Sequence, residues 1–506
     1  MQIPQVDRGF SDRSGPATGC FIRDLEVAVL TLVAASVMVA FPITAHIVNP
    51  LLGILTVLLL ATICAIVAPG VAIVTILASF MFQNLVVSLV SNWVHSKVEF
   101  DVIRAYNFLI LCTCWLTIAI RFLMNWRTKP GNIVIFLKVT TAALTAIGVY
   151  FVVGFALYGT AAIVNLRNIA MPLLLFQICL VVFAERPVRI TPALTGLGIS
   201  VIFCAITEVL FRDQWLTYTN SEKYWSLFNG PNWATLQLDE HARKTGEVIT
   251  TLTDTFRISF FNSPLLSDIG VPVMRIFGPN MHAISFAYCL IMFAIFTLYR
   301  GRLLQATVFI ALAMLCSVKG PVIVFLMVAI SWSIYCIIGS RLAFVFHSIA
   351  VVAYAVVGVI VGSRIGDYHV LGLISGFYNF LENPIGRGIG IGGNLSPLFN
   401  TIDFQQAQAV GHTPFPVESS VGVLLYQMGI FALAPIGAYV WLSWKLLKLG
   451  SITQNGLHVA MAFTLLSIVA NGLFQEEAYF APLSLTSFLA LGGMIIGAGV
   501  REGMTG

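Results

Sequence analysis

Apolar stretches of about 17–25 residues, separated by short polar breaks, recur along almost the whole chain. As helices rising 1.5 Å per residue, such runs match the hydrocarbon thickness of a bilayer. A transmembrane barrel would show short segments of alternating polarity instead, and none dominate here. Of the 506 residues, 58% are hydrophobic and 10% charged, with mean hydropathy +0.92. A water-soluble fold of this length cannot hide that much apolar surface, so the main solvent is lipid. The expected fold class is an all-α polytopic membrane protein.

About fourteen transmembrane helices are predicted, over residues 26–46, 50–67, 71–91, 107–124, 132–156, 160–184, 190–211, 282–299, 303–318, 321–339, 343–363, 420–444, 457–474 and 480–499. When these spans alternate, "NWRTKPGN" (125–132), "ERPVR" (185–189), "RGR" (300–302), Arg341 and "KLLK" (445–448) all fall on one side. The positive-inside rule makes that side cytoplasmic, together with an N-terminal segment 1–24 and a tail 501–506. Residues 25–500 are then read as one transmembrane domain. The first 24 residues have no signal-peptide pattern, so the first apolar run is expected to remain as a span. The net charge of +5 follows this topology and gives no sign of nucleic acid. Eight of the nine Cys lie in or beside apolar runs, which argues against a disulfide framework or a thiolate metal site.

Two long hydrophilic loops, 212–281 and 364–419, then face outward. Within the first, "NWATLQLDEHARKTGEVITTLTDTF" (232–256) suits an amphipathic helix on the membrane surface. The second carries "NPIGRGIGIGGN" (383–394) and is expected to be irregular, with short helices.

The informative residues are cations on the outer side. Arg275 precedes a span in "VMRIFGPNMHA", Lys319 sits at the junction "CSVKGP", Arg364 ends a span in "VGSRIGDYH", and Arg167 lies in "IVNLRNIAMP". A lone outer cation commonly snorkels to lipid headgroups. Four at one level, beneath two loops, instead suggest a polar cavity for an anion. A pyrophosphate suits them, because guanidinium forks match phosphate oxygens.

In "GHTPFPVESSVGVLLYQMG" (411–429), His412 and Glu418 stand ahead of an apolar run. Taken singly, His412 is a loop residue bonded to backbone, and Glu418 is an acid near a helix N-terminus. Beside cations that hold an anionic leaving group, Glu418 is suited to act as general base. Glu476 and Glu477 in "FQEEAYF" read as a solvated outer turn, and Glu208 as a hydrogen-bonding group within the bundle. "GRGIGIGG" lacks the strand–helix frame of a dinucleotide site. No motif calls for a metal or cofactor.

In order, these pieces resemble the superfamily of O-antigen ligases and Wzy-type polysaccharide polymerases, bacterial membrane glycosyltransferases. The likeness lies in "RIFGPNMHAISFAYCLIM" (275–292), "SVKGPVIVFLMVAI" (317–330), "SRIGDYHVLGLISGFYNFLENPIGRGIGIGGN" (363–394) and "ESSVGVLLYQMGIFAL" (418–433). It covers about 275–433; the N-terminal half resembles the family only in span pattern and Arg167. The resemblance implies a GT-C-type fold acting at the periplasmic face of the bacterial inner membrane, without nucleotide sugar, metal or cofactor. It implies undecaprenyl-diphosphate-linked oligosaccharide as substrate and a chain-length regulator protein as partner. Arg275 and Arg364 would neutralise the diphosphate, supported by Arg167 and Lys319, while an acceptor hydroxyl attacks the anomeric carbon. Lys319 stands where the family has Arg, and Glu418 where ligases have His, with His412 six residues earlier. That exchange favours a polymerase over a ligase, with Glu418 as base. A lipid-linked-sugar flippase is the remaining alternative; it would show paired halves and midplane charges, which are not visible here.

Overall fold

The computed structural model describes residues 17–128, 131–245, 252–262, 272–396 and 398–505. Helices dominate. The chain begins with α1 (Ala17–Val48), α2 (Pro50–Val67), α3 (Pro69–Leu89), α4 (Lys97–Arg104), α5 (Tyr106–Met124), α6 (Gly131–Tyr158), α7 (Thr160–Glu185) and α8 (Thr191–Leu210). Three short helices follow: α9 (Arg212–Tyr218), α10 (Ser221–Asn229) and α11 (Trp233–Thr245). Next come α12 (Ala283–Tyr299), α13 (Leu303–Leu315), α14 (Lys319–Ile338), α15 (Ser340–Ile365), α16 (Tyr368–Glu382) and α17 (Phe404–Val410). The last five are α18 (Ser420–Met428), α19 (Leu433–Thr453), α20 (Gly456–Asn471), α21 (Glu477–Phe480) and α22 (Leu485–Arg501).

Among the described residues, ten helical segments are long and apolar enough to cross a membrane, and α12, α13, α20 and α22 are shorter apolar helices. The surface argues for lipid as strongly as the lengths do. In α15 only 11% of the most apolar window is buried although its hydropathy is 2.4, so its apolar side chains point outward. In water that surface would be costly to expose; in hydrocarbon it is the matched face.

The chain divides into two compact units, Met1–Arg121 with Val188–Val322 and Phe122–Pro187 with Ile323–Gly506. In the first, α1 packs on α2, α3 and α8, and α12 on α13. Its hydrophilic segment folds as α9 to α11 followed by a two-stranded antiparallel sheet, β1 (Arg257–Ser259) against β2 (Pro272–Met274), with Arg257 opposite Met274. Of the amphipathic helix predicted over 232–256, α11 covers Trp233–Thr245 and Leu252–Phe256 forms a 3-10 turn; positions 246–251 lie outside the described residues.

The second unit is built around α7 and α22, both mostly buried. Gly493 and Gly497, one turn apart on α22, lie against the α7 backbone. A Cβ on either would stand 2.7 Å from Phe176 O or 2.6 Å from Leu180 O. Small residues at this spacing let two membrane helices approach without intervening side chains. Contacts sort the helix ends of this unit into two groups. At one end Arg501 donates to Phe183 O and Arg186 O, Asn132 to Thr505 O, and Ser340 bonds Ser451. The other end carries the segment 366–419, and there Tyr354 donates to Asn471 and Tyr150 to Ile385 O.

The predicted continuous span 420–444 is interrupted. α18 ends at Gly429, which has φ +55°, and a 3-10 turn, Gly429–Ala432, leads into α19. The cause lies in the Gly-rich run. Arg387 N–H donates to Tyr426 O and Gly388 N–H to Gln427 O, so carbonyls at the α18 terminus are capped by distant backbone. Gly388 (φ +91°) also lies against Gly154 of α6, where a Cβ would meet backbone at 2.9 Å. The glycines make a backbone plug.

Candidate functional site

In the first unit a polar corner forms around Arg275. Glu208, at the end of α8 and 0% exposed, accepts from the N–H groups of Phe277 (3.0 Å) and Gly278 (2.7 Å). The same carboxylate accepts from Arg212 at 2.6 Å, and Arg212 donates onward to the Arg275 carbonyl. The Arg212 guanidinium lies against the edge-to-face pair Phe256 and Phe277, 5.4 and 5.6 Å from their centroids. Glu208 therefore does bond within the bundle, and what it holds is the turn that follows Arg275. Ile276 N–H reaches Leu315 O, and Phe261 N–H reaches Ser317 Oγ at 2.6 Å. These bonds bring the Arg275 segment alongside the junction bearing Lys319. Arg275 is half-buried and Lys319 exposed.

In the second unit the polar centre is Glu418. It precedes the α18 N-cap, Ser419, and has φ +59°, a left-handed backbone that side chains rarely adopt. Glu418 N–H donates to Asn394 Oδ1 at 3.2 Å. Asn394 N–H in turn donates to Glu476 Oε2 at 2.8 Å, and Ser420 Oγ donates to the carbonyls of Gln475 and Glu476. The left-handed Glu418 backbone is thus held by the glycine-rich run on one side, and the next residues by the turn after α20 on the other.

Glu476 is buried, 6% exposed, contrary to the expected solvated turn. Burial and the nearby Glu477 charge push its carboxyl well above the usual range; the Glu418 charge adds to this, and the backbone amides of Asn394 and Glu418 oppose it. Its aromatic and apolar neighbours in "GLFQEEAYFAPL" were the available signal of burial.

The imidazole facing Glu418 is that of His369, which the sequence did not single out. Its Nδ1 lies 3.3 Å from Glu418 O and 3.6 Å from Glu418 Oε2. Asp367 caps α16 through the His369 N–H, and a turn closed by Asp367 N–H to Gly362 O separates His369 from Arg364. Arg364 is exposed in the last turn of α15. His412 bonds the neighbouring Thr413 O at 3.0 Å and packs on Tyr378. Arg167, half-buried on α7, has its Nε 3.3 Å from Asn168 Oδ1. Two residues earlier on α7, Asn165 accepts from Gln427, which lies nine residues beyond Glu418. At 1.5 Å per residue that contact falls about 13 Å along the chain from Glu418. Arg387, a further cation not foreseen, donates to Asn379 at 2.9 Å and lies over the Tyr426 ring.

The helices and their apolar surface define a multi-pass α-helical membrane protein. The chain matches no protein-family model and no curated protein sequence.

Proposed function

We propose that the protein is a polysaccharide polymerase with about fourteen membrane spans and a GT-C-type fold. It transfers an undecaprenyl-diphosphate-linked glycan onto a hydroxyl of another lipid-linked repeat unit at the periplasmic face of the inner membrane. The product is O-antigen, capsule or exopolysaccharide. Arg364 binds the diphosphate as the anomeric carbon–oxygen bond breaks, and the acceptor proton leaves at the Glu418 end of α18. One observation carries most weight: Glu418 and the turn bearing Arg364 are joined through His369. An acid–base pair, with an exposed guanidinium at the other end of the short turn that bears its imidazole, supplies parts that glycosyl transfer from a diphosphate needs. The four stretches resembling ligases and polymerases add support, and the Glu at 418 favours polymerase.

The test is elongation of a defined undecaprenyl-diphosphate-linked repeat by purified protein. Growth of lipid-linked chains in wild type and its loss in Arg364→Ala is the expected result. Transfer only to a lipid A core acceptor would make the protein a ligase. Transbilayer movement of the donor without any new glycosidic bond would make it a flippase.

A further inference from the structure

We propose that His369 is a catalytic residue that accepts the acceptor-hydroxyl proton, with Glu418 as the carboxylate that orients and charges it. This rests on the glycosyl-transfer reading above and changes which atom performs its proton step.

The argument starts from the two nitrogens of the ring. Nδ1 faces two oxygens of Glu418, the backbone carbonyl at 3.3 Å and carboxylate Oε2 at 3.6 Å. A carbonyl and a carboxylate only accept, so Nδ1 carries the hydrogen and the neutral ring keeps its lone pair on Nε2. Nε2 has no partner among the described residues, and the side chain is 41% exposed, so it is open to an approaching hydroxyl. The ring is held at its backbone too, because Asp367 Oδ1 accepts the His369 N–H at 3.0 Å. Glu418 is fixed independently through Asn394 and Ser419, which explains why its backbone tolerates φ +59°. The charged group placed against the ring is the Glu418 carboxylate, while Asp367 bonds the His369 backbone N–H. His412 is turned to its own neighbour, Thr413 O, and to Tyr378.

The step balances without a co-reactant. The acceptor oxygen forms its bond to the anomeric carbon, and the bond from that carbon to the diphosphate oxygen breaks. The leaving diphosphate takes the electron pair. The hydroxyl proton passes to His369 Nε2, and the resulting imidazolium stands against the Glu418 carboxylate until it releases the proton to water. The same division of labour, one base and one orienting carboxylate, serves other hydroxyl-activating sites.

The experiment uses full-length protein in nanodiscs with a lipid-diphosphate-linked repeat under saturating acceptor. His369→Asn keeps an N–H near the Nδ1 position and lacks the base; His369→Gln sets an amide near Nε2. Both are expected to lower kcat by roughly 10²–10⁴-fold with KM for the donor within about twofold of wild type. Added imidazole is expected to restore part of the rate to His369→Ala. Full kcat in His369→Asn would overturn the role of His369 and leave the polymerase reading intact. Loss of kcat with a parallel rise in KM and no imidazole rescue would make His369 structural and also overturn it. A wild-type protein that forms no glycosidic bond would overturn the polymerase reading itself.

Discussion

Asn394 N–H donates to Glu476 Oε2 at 2.8 Å, and this bond ties the end of the glycine-rich run to a buried carboxyl in the turn after α20. Through the other end of Asn394 the same link reaches the Glu418 backbone. Glu476 is therefore part of the support under the candidate site.

Its protonation has a direct consequence for stability. A carboxyl whose folded pKa lies above its unfolded value binds a proton more tightly when folded. Its contribution is fully present below the unfolded pKa, about 4.3, and is lost as pH rises through the raised folded value. Burial is the first cause of the shift and the Glu477 charge the second. Glu476→Gln imitates the protonated acid and still accepts from Asn394. The expected outcome is that wild-type Tm falls relative to Glu476→Gln as pH rises above that unfolded value. Glu476→Ala leaves the half-buried Asn394 N–H without its acceptor and should cost about 1 kcal/mol or more at every pH. Thermal melts in detergent across a pH series check both.

The membrane architecture could be read from the sequence because its cause is local. Run length and hydropathy are properties of consecutive residues: the short apolar helices α12 and α13 lie within the predicted spans 282–299 and 303–318, and α20 and α22 overlap 457–474 and 480–499. The break at Gly429 could not be read this way. Gly429 within the run 420–444 is a weak local signal, since a lone Gly does not by itself end a helix; the N–H groups that take up the last α18 carbonyls come from Arg387 and Gly388, some forty residues earlier. The apposition of His369 and Glu418, and the burial of Glu476, are likewise products of packing between distant segments. Glu418 drew attention as a charge beside an apolar run, whereas His369 is an ordinary loop-edge histidine until its neighbour is known.

The close approach of α7 and α22 makes a sharp packing test. Gly497→Ala puts a methyl group where Leu180 O stands 2.6 Å away, whereas a Cβ on Gly437 meets nothing within 4 Å. Overpacking at the first position should cost about 1–3 kcal/mol. Gly437→Ala should be neutral or stabilise its helix by up to about 1 kcal/mol. Paired thermal melts of the two variants check the contrast; equal Tm values would contradict the helix contact.

Glu208→Gln probes the corner around Arg275. The amide can still accept from one of the Phe277 and Gly278 N–H groups but leaves Arg212 without its charge partner. The two side chains are 1% and 9% exposed, so the unpaired guanidinium remains largely out of water. Breaking a buried pair from one side should cost roughly 3–5 kcal/mol. Limited proteolysis in the 252–262 region should accelerate in the variant, because Arg212 helps to hold Arg275, whose N–H donates to Phe256 O. Adding Arg212→Met to Glu208→Gln removes the unpaired charge while the amide oxygen still accepts from the turn, and should recover part of the loss.

Arg364 is the cation whose substitution separates electrostatics from fold most cleanly. It is exposed at the α15 terminus, and Gly366, left-handed with φ +65°, caps the helix behind it, so the helix does not depend on its side chain. Arg364→Ala should therefore leave the unfolding free energy within about 0.5 kcal/mol of wild type and Tm nearly unchanged, as for surface changes generally. If the guanidinium stabilises charge on the departing diphosphate, the same change should lower kcat by roughly 10²–10³-fold, as when a charge-stabilising donor is removed. Lys at this position retains the charge without the forked donors, so Arg364→Lys should fall between the two. Turnover of a lipid-diphosphate-linked repeat, measured with melting curves on the same preparations, gives both quantities. An Arg364→Ala protein with normal Tm and normal kcat would remove Arg364 from the transfer step and with it the main electrostatic support for diphosphate chemistry at this end of the unit.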